Sequence, residues 1–286
     1  MRILVTGAKG QLGTELGRLL EGSHHEMIGV DLDHGSGTLD ITDRDAVVAG
    51  VTSIEPDLII HGAAFTAVDA CEEQVDLAFR VNALATRHIA DGARRVGSHV
   101  VYVSTDYVFD GTKAQPYVEW DEPNPQSVYG RSKLGGEREI DPGWTVARTS
   151  WVCSAHGANM VKTLLRLADG PDDLAFVDDQ IGHPTFASDL ASMLLRLGVE
   201  RRPGTYHVTN QGATSWYGFA RAVFSAAGHD PERVKPISTA GMLPPRPAPR
   251  PANSVLDNAA LRGSGLPVLD DYHEPLARVV SELLGR

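Results

Sequence analysis

Tyr129 and Lys133 stand four residues apart in the run Tyr129-Gly-Arg-Ser-Lys133. On a helix that spacing puts a phenol and an ammonium on one face. A lysine beside a phenol favours the phenolate and lowers its pKa from about 10. Such a tyrosine can give or take a proton near neutral pH. Ser104-Thr105-Asp106 closes an apolar run further upstream. The Thr105 hydroxyl there suits donation to a carbonyl that Tyr129 protonates. A third signal lies at the start of the chain, in Gly7-Ala-Lys-Gly10-Gln-Leu-Gly13. Small residues between a strand and a helix permit a tight turn. They also let the backbone approach a pyrophosphate at the positive helix N-terminus. The glycines recur at every third position rather than as G-x-G-x-x-G. Asp31 ends the next apolar run, where a carboxylate can bind both ribose hydroxyls of an adenosine. It also repels a 2'-phosphate, so the reading favours NADH over NADPH. Asp40 and Ile41 follow where an adenine ring would be edged.

The elements that must position these residues follow from hydrophobic patterning. Arg2 to Thr6, Glu26 to Val30, Asp57 to Ile60, Ser98 to Ser104 and Trp144 to Ala147 read as short apolar strands. Helices are predicted at Asp43 to Ile54, over a long amphipathic stretch at 73–96, and at Ser127 to Ile140. In the long stretch Leu77, Val81, Leu84, Ile89 and Ala93 share one side. The alternation implies an α/β fold with a parallel sheet covered on both faces. After residue 150 the pattern is less regular. Helices are predicted at 158–169, 187–197, 215–227 and 271–284, with short strands at 174–177, 204–208 and 233–237. The proline-rich segment Leu243 to Pro251 reads as a rigid loop between structured stretches.

Composition narrows the setting. The 286 residues are 42% hydrophobic and 22% charged, as in a globular protein. A net charge of −11 argues against broad contact with nucleic acid or an anionic membrane. It leaves room for a small anionic ligand in a locally positive pocket. No apolar stretch approaches the ~20 residues of a membrane span. The first apolar run stops at Gly7, too short for a secretory signal, and Cys71 and Cys153 are too few for a disulfide framework. A cytoplasmic protein is expected. Eleven histidines, among them His24, His25 and His34, form no H-x-x-x-H or His/Cys cluster, so no metal is predicted. Only five lysines are present, at 9, 113, 133, 162 and 235.

The glycine loop, Thr105, and Tyr129 with Lys133 together resemble the extended short-chain dehydrogenase/reductase family. The resemblance extends to Ala64-Phe-Thr-Ala-Val-Asp69, Ser104-Thr-Asp-Tyr-Val-Phe-Asp-Gly111 and Val128 to Glu137. It continues through Arg148-Thr-Ser-Trp151, Asp179-Gln-Ile-Gly-His-Pro-Thr185, Ser215-Trp216 and Arg250 to Asp257. The segments occur in family order. The resemblance implies a Rossmann-like, doubly wound parallel sheet over residues 1–150. Residues 151–286 would form mainly a smaller α/β substrate-binding domain, with some segments returning to the first.

Residue by residue, the resemblance implies that Gly7, Gly10, Gln11 and Leu12 hold a dinucleotide pyrophosphate. It places Asp31 at the adenosine ribose, Asp40 and Ile41 at the adenine, and Ala63, Ala64 and Thr66 along the cofactor. Thr105, Tyr129 and Lys133 match a catalytic trio, with Lys133 also at the nicotinamide ribose. Asn82 matches an asparagine that supports the lysine. Thr105, Asp106 and Trp151 match positions near a sugar, and Val68, Asn159, Gln180 and Arg250 are weaker candidates. The implied partner is a small nucleotide-sugar substrate, and a homodimer is common in the family. The implied chemistry is NADH- or NADPH-dependent reduction of the C4 ketone of a dTDP-linked 4-dehydro-6-deoxysugar. An epimerase or dehydratase of the same fold is an alternative; the dehydratase is weakened because Asp106-Tyr107, rather than an Asp-Glu pair, follows Thr105. A non-catalytic cofactor-binding subunit would be marked by loss of the trio, which this chain keeps. His183 is as suited to a pocket wall as to loop structure. Arg246 and Arg250 suit a diphosphate clamp as well as a solvated loop.

Overall fold

The computed structural model describes residues 1–32 and 37–286; His34 lies outside the described residues. β1 (Arg2–Thr6) ends at the glycine turn and is followed by α1 (Gln11–Leu20), β2 (Glu26–Val30), α2 (Arg44–Ile54) and β3 (Leu58–His61). A helical stretch comes next: α3 (Val68–Glu73), α4 (Val75–Phe79), a π-helical turn at Arg80–Leu84, and α5 (Ala85–Val96). β4 (His99–Thr105), α6 (Val128–Glu137) and β5 (Thr145–Thr149) complete the first half. The second half runs β6 (Val152–Cys153), α7 (Met160–Ala168), β7 (Leu174–Val177), β8 (Ile181–Gly182), β9 (Thr185–Phe186), α8 (Ala187–Val199) and β10 (Gly204–His207). Then come β11 (Thr214–Ser215), α9 (Trp216–Ala227), β12 (Val234–Ile237), α10 (Ala259–Gly263) and α11 (His273–Leu284).

The central sheet has six strands in the order β10-β5-β4-β3-β1-β2, and every pairing is parallel. Period-two alternation sends side chains to two cores. On one face Ile3, Val5, Leu58 and Ile60 pack against Leu16 of α1 and Leu190, Leu194 and Leu197 of α8. On the other face Leu4, Ile59 and Val100 meet Val47 and Val51 of α2 and Ile89 and Ala93 of α5. Both faces are therefore buried, which is why the strands read as apolar runs. A separate core joins α7, α9 and α11 through Val161, Leu164, Phe219, Phe224, Leu276 and Val280. β10 and α8 lie late in the chain yet build the central sheet and its cover.

The segment 73–96 differs from the single amphipathic helix predicted. It is broken at Gln74 and underwound into a wider turn at Arg80–Leu84, where the Ala85 N–H bonds back to the Arg80 carbonyl. The extra residue in that turn rotates the apolar stripe, leaving Leu84 43% exposed while Asn82 turns inward and is buried. Such π-turns inside helices often mark functional sites.

Candidate active site

The sheet reverses direction of winding between β1 and β3, and ligands bind at such a switch point beyond the carboxyl ends of the strands. A cavity of about 760 Å³ opens there. The glycine turn, Asp31, Asp40 and Ile41 line one part of it. Ala63, Ala64 and Thr66, from the loop after β3, line the middle. Thr105, Asp106, Tyr129, Lys133 and Trp151 line the other part.

Backbone packing explains the glycines. Gly7 has φ +73°, and a Cβ on it would lie 2.9 Å from the Ala63 amide nitrogen. A Cβ on Gly13 would lie 2.4 Å from the Gly7 carbonyl. Gly10 is the N-cap of α1 and offers no side chain to the first-turn amides. Those amides, with the helix dipole behind them, suit an anionic phosphate. Gln11 Oε1 is buried in this structure with no hydrogen-bond partner. The Asp31 carboxylate accepts from the backbone amides of Lys9 at 2.9 Å and Leu32 at 2.8 Å, which pins it at the end of β2. Asp40 accepts from the amide and hydroxyl of Thr42 at 2.8 and 2.7 Å. The donor set, the small residues and the orphaned amide oxygen fit a dinucleotide.

The reacting end is assembled by β4 and α6. Ser127 caps α6 by accepting from the Gly130 amide at 3.0 Å, and Glu72 accepts from the Val128 amide at 2.7 Å. These caps present Tyr129 at the cavity wall, its ring edge-on to Tyr107 at 5.6 Å. Lys133, one turn on, is only 3% exposed. Its ammonium sits over the face of Tyr102, 4.2 Å from the ring centroid, a cation–π contact. Thr105 donates its hydroxyl to Asp106 Oδ1 at 2.9 Å, and its oxygen accepts from the Tyr107 amide. Asp106 Oδ2 is buried and has no partner.

The electrostatics correct one expectation. Tyr129 is pushed above the ordinary phenol range, because packing around its hydroxyl disfavours the charged form, with Asp106 and Tyr107 adding to the effect. A hydrogen bond with Thr105 opposes the rise, and Lys133 does not reverse it. The hydroxyl is thus held in its neutral phenol form, and burial by itself makes it a weaker acid, not a stronger one. Burial pushes Lys133 down to about 7, opposed by Glu137. Burial also raises Asp106 to about 6, opposed by the nearby Ser254 hydroxyl and by the Thr105 hydroxyl that bonds its Oδ1.

Asn82 does not bond Lys133 directly. Its amide donates to the Phe65 carbonyl at 3.0 Å and to Ser132 Oγ at 2.9 Å, and its oxygen accepts from the Phe65 amide at 2.8 Å. It therefore ties the loop after β3 to the residue beside Lys133. Trp151 has φ +45°, a strained value for a bulky residue, and stacks on Trp216 with ring centroids 3.7 Å apart. Gly182 gives its indole room, since a Cβ there would lie 2.8 Å from the ring. Val68 lines the cavity, whereas Asn159, Gln180 and Arg250 are not part of its wall. Asn159 caps α7, Gln180 donates to Thr239 Oγ1 at 2.9 Å, and Arg250 and Arg246 both pair with Asp69. His183 is buried, with its ring 3.1 Å from the Thr209 hydroxyl. Tyr107, Thr149, Ser150, Gly157 and Ala158 line the cavity but were not read from sequence as site residues. Tyr107 adjoins Asp106 and Ser150 adjoins Trp151, which is the sequence signal for those two. Among the described residues no group of three or more His, Cys, Asp or Glu is placed to hold a metal ion. None of their helices is long and apolar enough to cross a membrane.

A doubly wound parallel sheet with a glycine turn at β1 and a Thr-Tyr-Lys group beyond β4 defines a Rossmann-like fold of the short-chain dehydrogenase/reductase class. The family model for the RmlD substrate binding domain matches residues 1–284, and the chain belongs to that family. A relative named dTDP-4-dehydrorhamnose reductase, from Streptomyces griseus, is 40% identical over 100% of this chain and 95% of its own. A relative from Streptomyces antibioticus, named a probable dTDP-4,6-dihydroxy-2-methyloxan-3-one 4-ketoreductase, is 39% identical over 99% of this chain and 96% of its own. The crystal structure of dTDP-4-dehydrorhamnose reductase from Bacillus anthracis in complex with NADP superposes with a TM-score of 0.92. It is 38% identical, covering 98% of this chain and 99% of that one.

Proposed function

We propose that this chain reduces the C4 ketone of a dTDP-4-dehydro-6-deoxysugar with NADH or NADPH, most readily dTDP-4-dehydro-β-L-rhamnose to dTDP-L-rhamnose. The observation that carries the reading is the gathering of Thr105, Asp106, Tyr129 and Lys133 in the same cavity as the glycine turn and Asp31. The names of the full-length relatives support it.

In this reading Gly7, Gly10, Gln11 and Leu12 hold the dinucleotide pyrophosphate. Asp31 takes the adenosine ribose, and Asp40 and Ile41 edge the adenine. Ala63, Ala64 and Thr66 lie along the cofactor, and Lys133 holds the nicotinamide ribose. The reduced nicotinamide supplies the hydride. Tyr129, protonated in the resting site, gives its proton to the carbonyl oxygen as negative charge develops there. Thr105 turns its hydroxyl from Asp106 toward that oxygen and stabilises it. The Lys133 ammonium then faces the phenolate left behind. Asp106 Oδ2, buried without a partner, is free to accept a sugar hydroxyl, and Trp151 packs against the sugar. Because the Asp31 carboxylate is fixed by two amides, it disfavours a 2'-phosphate, and NADH is the preferred donor.

The reading is tested by incubating the protein with NADH and dTDP-4-dehydro-L-rhamnose and following loss of reduced-nicotinamide absorbance. No oxidation by folded, cofactor-binding protein refutes it. The name of the Streptomyces antibioticus relative favours a second sugar class. Running the same assay across several 4-keto nucleotide sugars separates the two.

A further inference from the structure

Glu137 enters no step above, yet its carboxylate is buried where three elements of the site meet. Glu137 Oε1 accepts from Ser104 Oγ at 2.5 Å and from Arg148 Nε at 2.9 Å. Glu137 Oε2 accepts from Arg148 Nη2 at 2.7 Å. The two charged side chains are only 6% and 8% exposed. Ser104 immediately precedes Thr105 on β4, and Arg148 pairs with Ser104 across β4 and β5. One carboxylate thus joins the strand that carries Thr105, its neighbour, and the helix that carries Tyr129 and Lys133.

A buried ion pair is a weak stabiliser, because desolvation offsets the attraction and apolar residues of like volume often serve as well. Position assigns this one a further task. Glu137 lies one turn beyond Lys133 on α6, a spacing of roughly 6 Å between Cβ atoms. Several titratable groups pack around this part of α6. They are His61 on β3, Tyr102 on β4, Asp106 and Tyr107 after β4, Glu72 on α3, Arg148 on β5, and Tyr129 itself. His61 is held neutral by burial and by Lys133. Glu137 makes its ion pair with Arg148 rather than with Lys133, yet from one turn away its charge opposes the fall in Lys133 proton affinity that burial causes.

We propose that Glu137 is a positioning residue: clamped by Arg148 and Ser104, it fixes α6 against the end of β4 and supplies the countercharge to the Lys133 ammonium. The consequence for catalysis rests on the ketoreductase reading, whereas the Glu137–Lys133 coupling does not. With five lysines in the chain, side-chain NMR of isotopically labelled lysine can follow Lys133 directly, assigned by its loss in Lys133→Arg. The titration is run on the full chain saturated with oxidised nicotinamide dinucleotide. Glu137→Gln is expected to lower the Lys133 midpoint by about one pH unit while the other four lysines hold. If that variant unfolds, Glu137→Gln with Arg148→Met removes both buried charges, and the shift should persist. An unchanged Lys133 midpoint in a folded variant overturns the proposal. In turnover assays the alkaline limb of kcat should move down with the midpoint, since the ammonium is lost as pH rises through its pKa; a fixed limb also overturns it. Coupling by NMR in a wild type that reduces no keto sugar supports the clamp and refutes the ketoreductase reading alone.

Discussion

Replacing Tyr129 by Phe removes one hydroxyl from the cavity wall and keeps the ring. The ring packs on Tyr107 and beside Cys71, Ala78 and Val128, and Phe preserves that packing. The lost hydroxyl lies close enough to the Thr105 hydroxyl to interact with it. One neutral hydrogen bond contributes about 1 kcal/mol net, and removing a partly desolvated phenol offsets some of it. The stability change should therefore stay within about 1 kcal/mol, a shift of only a few degrees in Tm for a chain of this size. The effect on chemistry should be far larger. Loss of a positioned general acid lowers the rate by about 10²–10⁴-fold, or roughly 3–5 kcal/mol of barrier. Calorimetry gives the first quantity and single-turnover decay of reduced-nicotinamide absorbance the second, with cofactor affinity followed by fluorescence as a control. Turnover within about tenfold of wild type, with fold and cofactor binding intact, would refute the role of Tyr129. A large loss of Tm would instead refute the packing argument.

Other outcomes follow from the same geometry. The ratio of kcat/KM for NADH to that for NADPH should exceed about ten, and Asp31→Ala should erase it, since a carboxylate near a phosphate costs a few kcal/mol at most in a half-exposed site; a native preference for NADPH would show the ribose argument wrong. Gly182→Ala sets a Cβ 2.8 Å from the Trp151 indole, so KM for the sugar nucleotide should rise several-fold with cofactor affinity unchanged. Asn82→Ala removes three hydrogen bonds and leaves buried backbone groups unpaired, which should cost about 2–4 kcal/mol by denaturant unfolding. Asp106 binds its proton more tightly folded than unfolded, its carboxyl being raised to about 6. Stability should therefore fall as pH rises from about 4 to about 6, by at most about 3 kcal/mol, and Asp106→Asn should flatten that dependence.

Much of the framework was legible in the sequence because it depends on near neighbours. Strand alternation, the glycine spacing after β1 and the one-turn separation of Tyr129 from Lys133 are local, and the structure sets those residues around one cavity. The continuous helix expected over 73–96 failed for a tertiary reason. Asn82 bonds Phe65 and Ser132, partners 17 and 50 residues away, and the helix widens into a π turn where it reaches them. Arg246 and Arg250 also escaped, since Asp69 lies 177 and 181 residues from them in sequence.

By itself the sequence determined the class of fold, the phosphate-type turn and the residue types of the reacting group, because period and short spacing obey local sterics. The tertiary structure alone decided the state of those groups. Whether Tyr129 rests as phenol or phenolate depends on how much water the surrounding elements exclude from its hydroxyl, and the packing here favours the phenol. Lys133 owes its lowered proton affinity to the same exclusion, and Glu137 meets Arg148 and Ser104 only once α6, β4 and β5 are packed together. Desolvation sums over every neighbour at once, and no window of sequence contains them.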